Sequence, residues 1–358
     1  MFIYKIVSIS RLILQNNRSS SVLPSKIQSL NINRCLLNER LKHTNAFKSE
    51  KEKFRTYVVQ RYINYVKNYT KLLENRFPAA MHMYRVFSVG IKDFLRDLRT
   101  YISLRLKITK DRGFSNMTRQ EIELFEKMPS DMWRIAPVLI LSAIPFGNYI
   151  IFPLAFMKPR KLLCSHFWSI QQKAEFSVED LKQRLYHNQS VLRALQAKLD
   201  LIPDGEIKEK WRRVLALLGS GMHPSPKDVL ACQDIFTTGP YHLNNLSYSH
   251  MGYLLKMLGI RKSILRRKKL KYRAFLLLQM DKAIIREGGV DILNTESLRN
   301  ACYIRGLNGR NLSNEDMRQW LQQWLSVSQH IDANASSLLL HCPLFFACNH
   351  PQNIVLIN

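Results

Sequence analysis

Along most of this 358-residue chain, apolar positions recur at the three- and four-residue steps of α-helices, and one stretch departs from that rhythm. The run IAPVLILSAIPFGNYIIFPLAFM, from Ile135 to Met157, has no charged residue and no polar face. As one helix rising about 1.5 Å per residue it reaches roughly 35 Å, enough to cross a hydrocarbon core of about 30 Å. It is therefore predicted to be a single transmembrane helix, with Trp133, Arg134 and the flank Lys158-Pro-Arg-Lys161 as interfacial anchors. A buried core helix is the alternative, but soluble helices are usually shorter and amphipathic. Pro137, Pro145 and Pro153 remove backbone donors, and Ser142, Gly147 and Asn148 interrupt the aliphatics. Such breaks fit either a kinked anchor or a helix that self-associates or lines a pathway.

Before this run, FRTYVVQRYINYVKNYTKLLENRF predicts an amphipathic helix stopped near Pro78, and MYRVFSVGIKDFLRDLRTYISLRLKI predicts a second, basic on its polar side. A more acidic piece, MTRQEIELFEKMPSD, leads into the apolar run. After it, Ser177-Val-Glu-Asp180 reads as a cap for a helix marked by Leu181, Leu185, Leu192, Leu195 and Leu199. Trp211 to Leu218 belongs to the next, which fails at GSGMHP. Ser225-Pro226 starts a third, with proline at the first helical position. Ser247 opens SYSHMGYLLKMLG, for which Gly259 is the expected stop. Ser313 opens a helix whose Met317, Trp320, Leu321, Trp324 and Leu325 share one face, a core stripe. No strand alternation of any length appears, so the fold is predicted to be all-α. The closing residues PLFFACNHPQNIVLIN are too few for a second span.

Charge narrows the partners. Lys and Arg total 54 against 27 Asp and Glu, a formal +27, which favours polyanions such as RNA or anionic lipid, although a generally basic compartment produces the same bias. The first 38 residues carry Lys5, Arg11, Arg18, Lys26 and Arg34, several serines and no acid, the composition of a mitochondrial presequence. The six cysteines (Cys35, Cys164, Cys232, Cys302, Cys342, Cys348) are scattered and form no disulfide framework.

Searches for phosphate-binding loops, nucleophile elbows and zinc-protease signatures fail, so neither an enzyme nor a cofactor is expected. His341, Cys342, Cys348 and His350 hold potential ligands, but their spacing lies outside ordinary zinc patterns, and no metal is expected there. The strongest polar feature is RKSILRRKKLKYR. Arg261, Lys262, Arg266, Arg267, Lys268, Lys269, Lys271 and Arg273 appear there without an acid among them. On a helix these charges cannot share one face, so part of the run is solvated and part meets a partner. Phosphates of ribosomal RNA or of cardiolipin-rich lipid suit it, and a merely solvated face is the bland alternative.

Specific residues resemble a known family. Pro137, Ile144-Pro145-Phe146, Pro153 and Lys158-Pro159 are followed downstream by Leu258-Gly259, Asp281, Glu287-Gly288 and Leu298-x-x-Ala301-Cys302-x-x-Arg305-Gly306. Together with Trp324-Leu325 and Ser337-Leu338-Leu339, these resemble the LETM family of mitochondrial inner-membrane proteins, in length its short members. The resemblance implies an inner-membrane anchor and a matrix-facing, helical, 14-3-3-like domain described as ribosome-binding. It divides the chain into a presequence (1–38), basic amphipathic helices (39–130), the span (135–157), the LETM ribosome-binding-like domain (158–345) and a tail (346–358).

Expected partners are the mitochondrial ribosome, through its RNA or its proteins, anionic lipid such as cardiolipin, and a second copy of the chain. The long members are linked to cation exchange and carry a carboxylate where this sequence has Asn148. A ribosome tether is thus the leading reading. The alternatives are a part in monovalent cation/proton exchange, with Pro137, Pro145, Asn148 and Pro153 shaping the path, and a cardiolipin-binding cristae scaffold.

Overall fold

The structure is a computed structural model that describes residues 78–357 except positions 112, 115, 145, 146, 262 and 333. The expected presequence and the helix ahead of Pro78 lie outside the described residues. Within them every regular element is helical. These are α1 Pro78–Asp111, α2 Arg119–Ala143, α3 Gly147–Met157, α4 Pro159–Leu162 and α5 Ile170–Leu185. Then come α6 Asn188–Gln196, α7 Glu206–Gly219, α8 Pro226–Ala231, α9 Asp234–Thr237 and α10 Tyr248–Met257. The chain closes with α11 Arg266–Arg286, α12 Thr295–Ile304, α13 Asn314–Ser328, α14 Ser336–Ala347 and α15 Pro351–Ile357. Two 3-10 turns, Ser165–Phe167 and Leu199–Leu201, complete the set, and the all-α expectation holds.

The described residues fall into two compact units, one of Lys92–Leu139 with the residues from Ile150 onward and one that joins the residues up to Ile91 to Ile140–Tyr149. The second contributes the start of α1, the end of α2, where Ile140 and Leu141 are exposed, and the first turn of α3.

The single transmembrane helix expected over Ile135 to Met157 is not formed. Among the described residues no helix is long and apolar enough to cross a membrane. The run is divided between the end of α2 and the 11 residues of α3. Its physical cause is local, because Pro145 has no N–H to donate and disfavours helical backbone at the residue before it, Ile144, which is a bend. The run also has a packed side. Ile135, Val138, Ile151 and Ala155 are buried, while Leu154, Phe156 and Met157 are exposed.

Helix starts follow side-chain chemistry. Thr118 and Glu121 reciprocally cap α2, and the N–H of Arg119 donates to Glu287 at the end of α11 (2.6 Å). Ser225 caps α8, Ser247 caps α10 and Ser313 caps α13, each accepting from a backbone N–H three residues on. One expectation is corrected. Ser177 lies inside α5 with its hydroxyl on Ala174, and the cap is Ser169, in a capping box with Gln172. The helix expected to continue through Leu199 breaks at Tyr186-His187 into α5 and α6.

The core joins α6 to α14. Trp211 of α7 donates to the Tyr241 hydroxyl (3.0 Å), which donates to the Leu195 carbonyl (2.7 Å). The expected stripe on α13 is buried, and Trp320 donates to the Phe346 carbonyl (2.8 Å). α14 is buried along its whole length, and α15 is held by Asn353, which accepts from the Asn308 N–H and donates to Gly306 and Ala347. On its other side, α11 packs Leu276, Met280 and Ala283 against Leu104, Met117 and Ile122 of α1, α2 and the turn between them. α11 is therefore central, with only part of its surface left for solvent.

Candidate anionic-partner interface

α11 sorts the basic run by depth. Leu270, Ala274 and Leu277 face the core, which carries Arg273 inward with them. Its guanidinium pairs with Glu126 of α2 and donates to the Ile304 carbonyl (3.2 Å). Arg266 is half-buried, lying 3.5 Å from the ring centroid of Tyr248 and donating to the Tyr248 carbonyl (2.6 Å). Gly252 makes that seat possible, since a Cβ there would lie 2.6 Å from the guanidinium. Lys269 donates to the Arg261 carbonyl (3.3 Å). These three are structural.

The others face outward. Arg261, Arg267, Lys268 and Lys271 are exposed, and Arg267 donates to the Asn244 carbonyl (3.0 Å), a neutral acceptor. Lys262 lies outside the described residues. Lys271 and Tyr272 lie three and four residues after Lys268, and Phe275 lies four and three after them, so bases and aromatic rings share one exposed strip. Ile264 and Leu265, just ahead of the helix, are exposed as well.

The start of α11 is electrostatically unfavourable by itself. Its cap position, Leu265, supplies no side-chain acceptor, and the first turn contains four bases and no acid. A helix N-terminus carries about half a positive charge from its aligned peptide dipoles, so each base there is repelled by a few tenths of a kcal/mol. An anion held at this end would satisfy the orphan N–H groups and the bases together.

The residues that carried the resemblance have another task. Asp281 of α11 and Arg305 form an ion pair in which the two residues are 2 % and 1 % exposed. Arg305 Nε donates to Asp281 Oδ1 (3.1 Å), Nη1 donates to the Ala301 carbonyl (2.7 Å), and the Trp324 indole donates to Asp281 Oδ2 (3.0 Å). Each nitrogen of the guanidinium and each oxygen of the carboxylate has a partner, as a buried pair requires. Gly306 follows in the left-handed region (φ 98°), with the Pro343 side chain 3.3 Å from where a Cβ would sit. Asp281, Arg305 and Gly306 hold the domain together rather than face a partner.

Sequence reasoning also passed over Arg184. Buried on α5, it donates to the carbonyls of Met257 (3.2 Å), Tyr303 (3.0 Å) and Ile304 (3.3 Å), the last turns of α10 and α12. A cation thus sits on two negative helix ends at once. Burial pushes its guanidinium pKa down, against the pull of the Tyr303 contact.

Of the residues expected to shape the apolar run, Pro137 lies inside α2, Pro153 inside α3 and Asn148 in the first turn of α3, while Pro145 is outside the described residues. His341 and Cys342 are core residues of α14. His341 Nδ1 meets the Ser337 carbonyl (2.7 Å) and its Nε2 meets His250 Nε2 (2.9 Å), so neither is directed at Cys348 or His350. A different cluster is brought together by α1, α2 and the turn after α4. His166 Nδ1 is 3.4 Å from Cys164 Sγ and 3.9 Å from Asp131 Oδ2, and its Nε2 is 2.9 Å from Asp97. No spacing rule links residues so far apart in sequence, which is why it went unseen.

Similarity to known proteins agrees with the motif residues. The LETM1-like, RBD family matches residues 117–345. LETM1 domain-containing protein 1 from Xenopus tropicalis is 28% identical over 292 residues, covering 80% of this chain and 83% of its own. The protein of that name from Homo sapiens is 26% identical over 307 residues, 85% of each chain. The mitochondrial proton/calcium exchanger protein of Drosophila melanogaster is 25% identical over 233 residues, 63% of this chain but 22% of its own. From the buried Asp281 and Arg305 to the stop at Gly306, the matched region is the domain just described, and the chain belongs to the LETM1-like RBD family.

Proposed function

We propose that this is a mitochondrial protein whose helical domain binds the mitochondrial ribosome through phosphates of its RNA, using Arg267, Lys268, Lys271 and Arg261 at the start of α11. The observation that carries this reading is the uncapped first turn, with four bases and no acid, whose members Arg267 and Lys268 are exposed. Tyr272 and Phe275 on the same strip offer faces on which unpaired bases stack. The reading locates the protein at the inner membrane with this domain on the matrix side, and it needs no single spanning helix. Its chemistry is binding rather than catalysis.

The test is co-sedimentation of the detergent-solubilised protein with mitochondrial ribosomes. Three phosphates neutralised by Arg267, Lys268 and Lys271 should make binding roughly 20- to 40-fold weaker between about 50 and 200 mM salt. Arg267→Glu/Lys268→Glu/Lys271→Glu should abolish it, whereas Arg266 and Arg273 variants would confuse binding with packing. Ribosome binding unchanged in the triple variant would defeat the reading. Loss of binding only on removing cardiolipin would transfer the same bases to lipid.

A second reading, a part in cation/proton exchange, draws on the name of the Drosophila relative. Residues 135–157 contain no titratable carboxylate, and Asn148 exchanges no proton. Purified protein in liposomes should therefore show no flux driven by a pH gradient, and robust flux would put exchange first.

A further inference from the structure

We propose that Asp131, Cys164 and His166 are the protein ligands of a zinc-type divalent metal ion, with Asp97 as the positioning residue that orients His166.

The three donor atoms, Asp131 Oδ2, Cys164 Sγ and one His166 ring nitrogen, lie within 4.8 Å of one another. Zinc bonds of about 2.3 Å to sulfur and 2.0–2.1 Å to nitrogen or oxygen place tetrahedral ligands roughly 3.3–3.6 Å apart. Cys164 and His166 already meet that separation at 3.4 Å, and Asp131 Oδ2, 3.9 Å from His166 Nδ1 in a set that spans no more than 4.8 Å, needs to move inward by about an ångström, within reach of a side-chain rotation. Thiolate, imidazole and carboxylate together select zinc over magnesium or calcium, which prefer all-oxygen shells. Three protein ligands leave the fourth corner to a water or another small ligand, and the His166 side chain keeps 10 % of its surface exposed.

The surroundings are arranged as a metal site requires. Nε2 of His166 faces Asp97 at 2.9 Å, so the carboxylate takes that N–H and leaves Nδ1 as the lone-pair nitrogen facing Cys164 and Asp131. This is the carboxylate–histidine–metal arrangement that fixes tautomer and ring plane. Phe94, one turn before Asp97 on α1, meets the same ring edge-on at 5.7 Å and holds its other face. Asp131 is the second, independent sign. Its side chain is 5 % exposed, and Oδ2 has no hydrogen-bond partner although it is directed at the other two donors.

Without an ion these groups are poorly matched. A neutral thiol–imidazole hydrogen bond accounts for two members and leaves the third oxygen orphaned. A dication takes all three.

The experiment uses tag-free, full-length wild-type protein, loaded with zinc and dialysed. Elemental analysis should find about one zinc per chain, and X-ray absorption at the zinc edge should find one sulfur in a shell otherwise of nitrogen and oxygen. Cobalt in place of zinc should give a thiolate charge-transfer band that Cys164→Ser removes and Cys232→Ser keeps. Asp97→Asn should weaken zinc affinity about 10- to 100-fold while circular dichroism stays that of wild type. A folded wild-type protein that retains no zinc, a shell without sulfur or with two sulfurs, or a cobalt band surviving in Cys164→Ser would each overturn the site. The first two readouts need no variant, so a misfolded Cys164→Ser leaves the test intact.

Discussion

The first half of α11 turns Arg267, Lys268 and Lys271 outward, its second half buries Asp281 against Arg305, and the two put charge to different ends. Around Asp281, buried guanidinium and carboxylate groups are satisfied atom by atom, by Arg305, Ala301 and Trp324. Arg267, Lys268 and Lys271 are exposed, and among the described residues no carboxylate forms an ion pair with them. The interior tolerates charge only when it is balanced, because an unpaired buried ion costs several kcal/mol. A surplus at the surface costs little, so it is there that charge is available to a partner.

The largest effect should come from breaking the matched half. Asp281→Ala leaves Arg305 buried and unpaired and should lower unfolding free energy by about 3–5 kcal/mol, read from the urea midpoint. Removing both charges sharpens the comparison. Asp281→Leu/Arg305→Met should recover much of that loss, since a well-packed apolar replacement is often neutral.

Acid should strain a second buried pair. His341 donates from Nδ1 to Ser337, so its Nε2 accepts from His250; a proton added to His341 would set N–H against N–H, and one added to His250 would sit on its buried Nδ1, which has no hydrogen-bond partner among the described residues. Burial holds both imidazoles neutral, with their pKa values pushed down. The unfolded chain takes up protons below pH about 6.5 and the folded chain does not, so stability is full above that value and declines as pH falls through it. Urea unfolding followed across pH should show this decline, and His341→Phe should flatten it.

Smaller effects follow at Gly306 and at the exposed strip. Gly306→Ala forces a Cβ into a left-handed backbone beside Pro343 and should cost about 1–2 kcal/mol in thermal unfolding. Arg267→Glu/Lys268→Glu/Lys271→Glu should leave stability unchanged or raise it by a few tenths of a kcal/mol, because acids suit a helix start. That variant separates the two halves most cleanly, losing binding without losing fold.

What was legible in the sequence was local. Ser225, Ser247 and Ser313 announce their helices because a hydroxyl reaches an N–H only three residues away. The Trp320 and Trp324 stripe is likewise set by helical geometry alone. Ser177 misled because its Glu-Asp successors imitate a cap, whereas the box that forms pairs Ser169 with Gln172. The run around Pro145 looked like one helix because composition records apolarity but not which faces are buried. The basic run was visible as charge, yet only packing separates Arg266 and Arg273 from Lys268 and Lys271. Asp97, Asp131, Cys164 and His166 meet only in three dimensions.

Arg184 has a consequence for the order in which the domain is completed. Its acceptors lie 73, 119 and 120 residues further along the chain. During synthesis the guanidinium therefore exists long before the carbonyls that take it out of water, and closing such long loops slows folding. A nascent chain stopped short of Ile304 should keep α5 undocked, with fast amide hydrogen exchange. Release of the last turn of α12 should protect α5 together with the ends of α10 and α12, as one cooperative step.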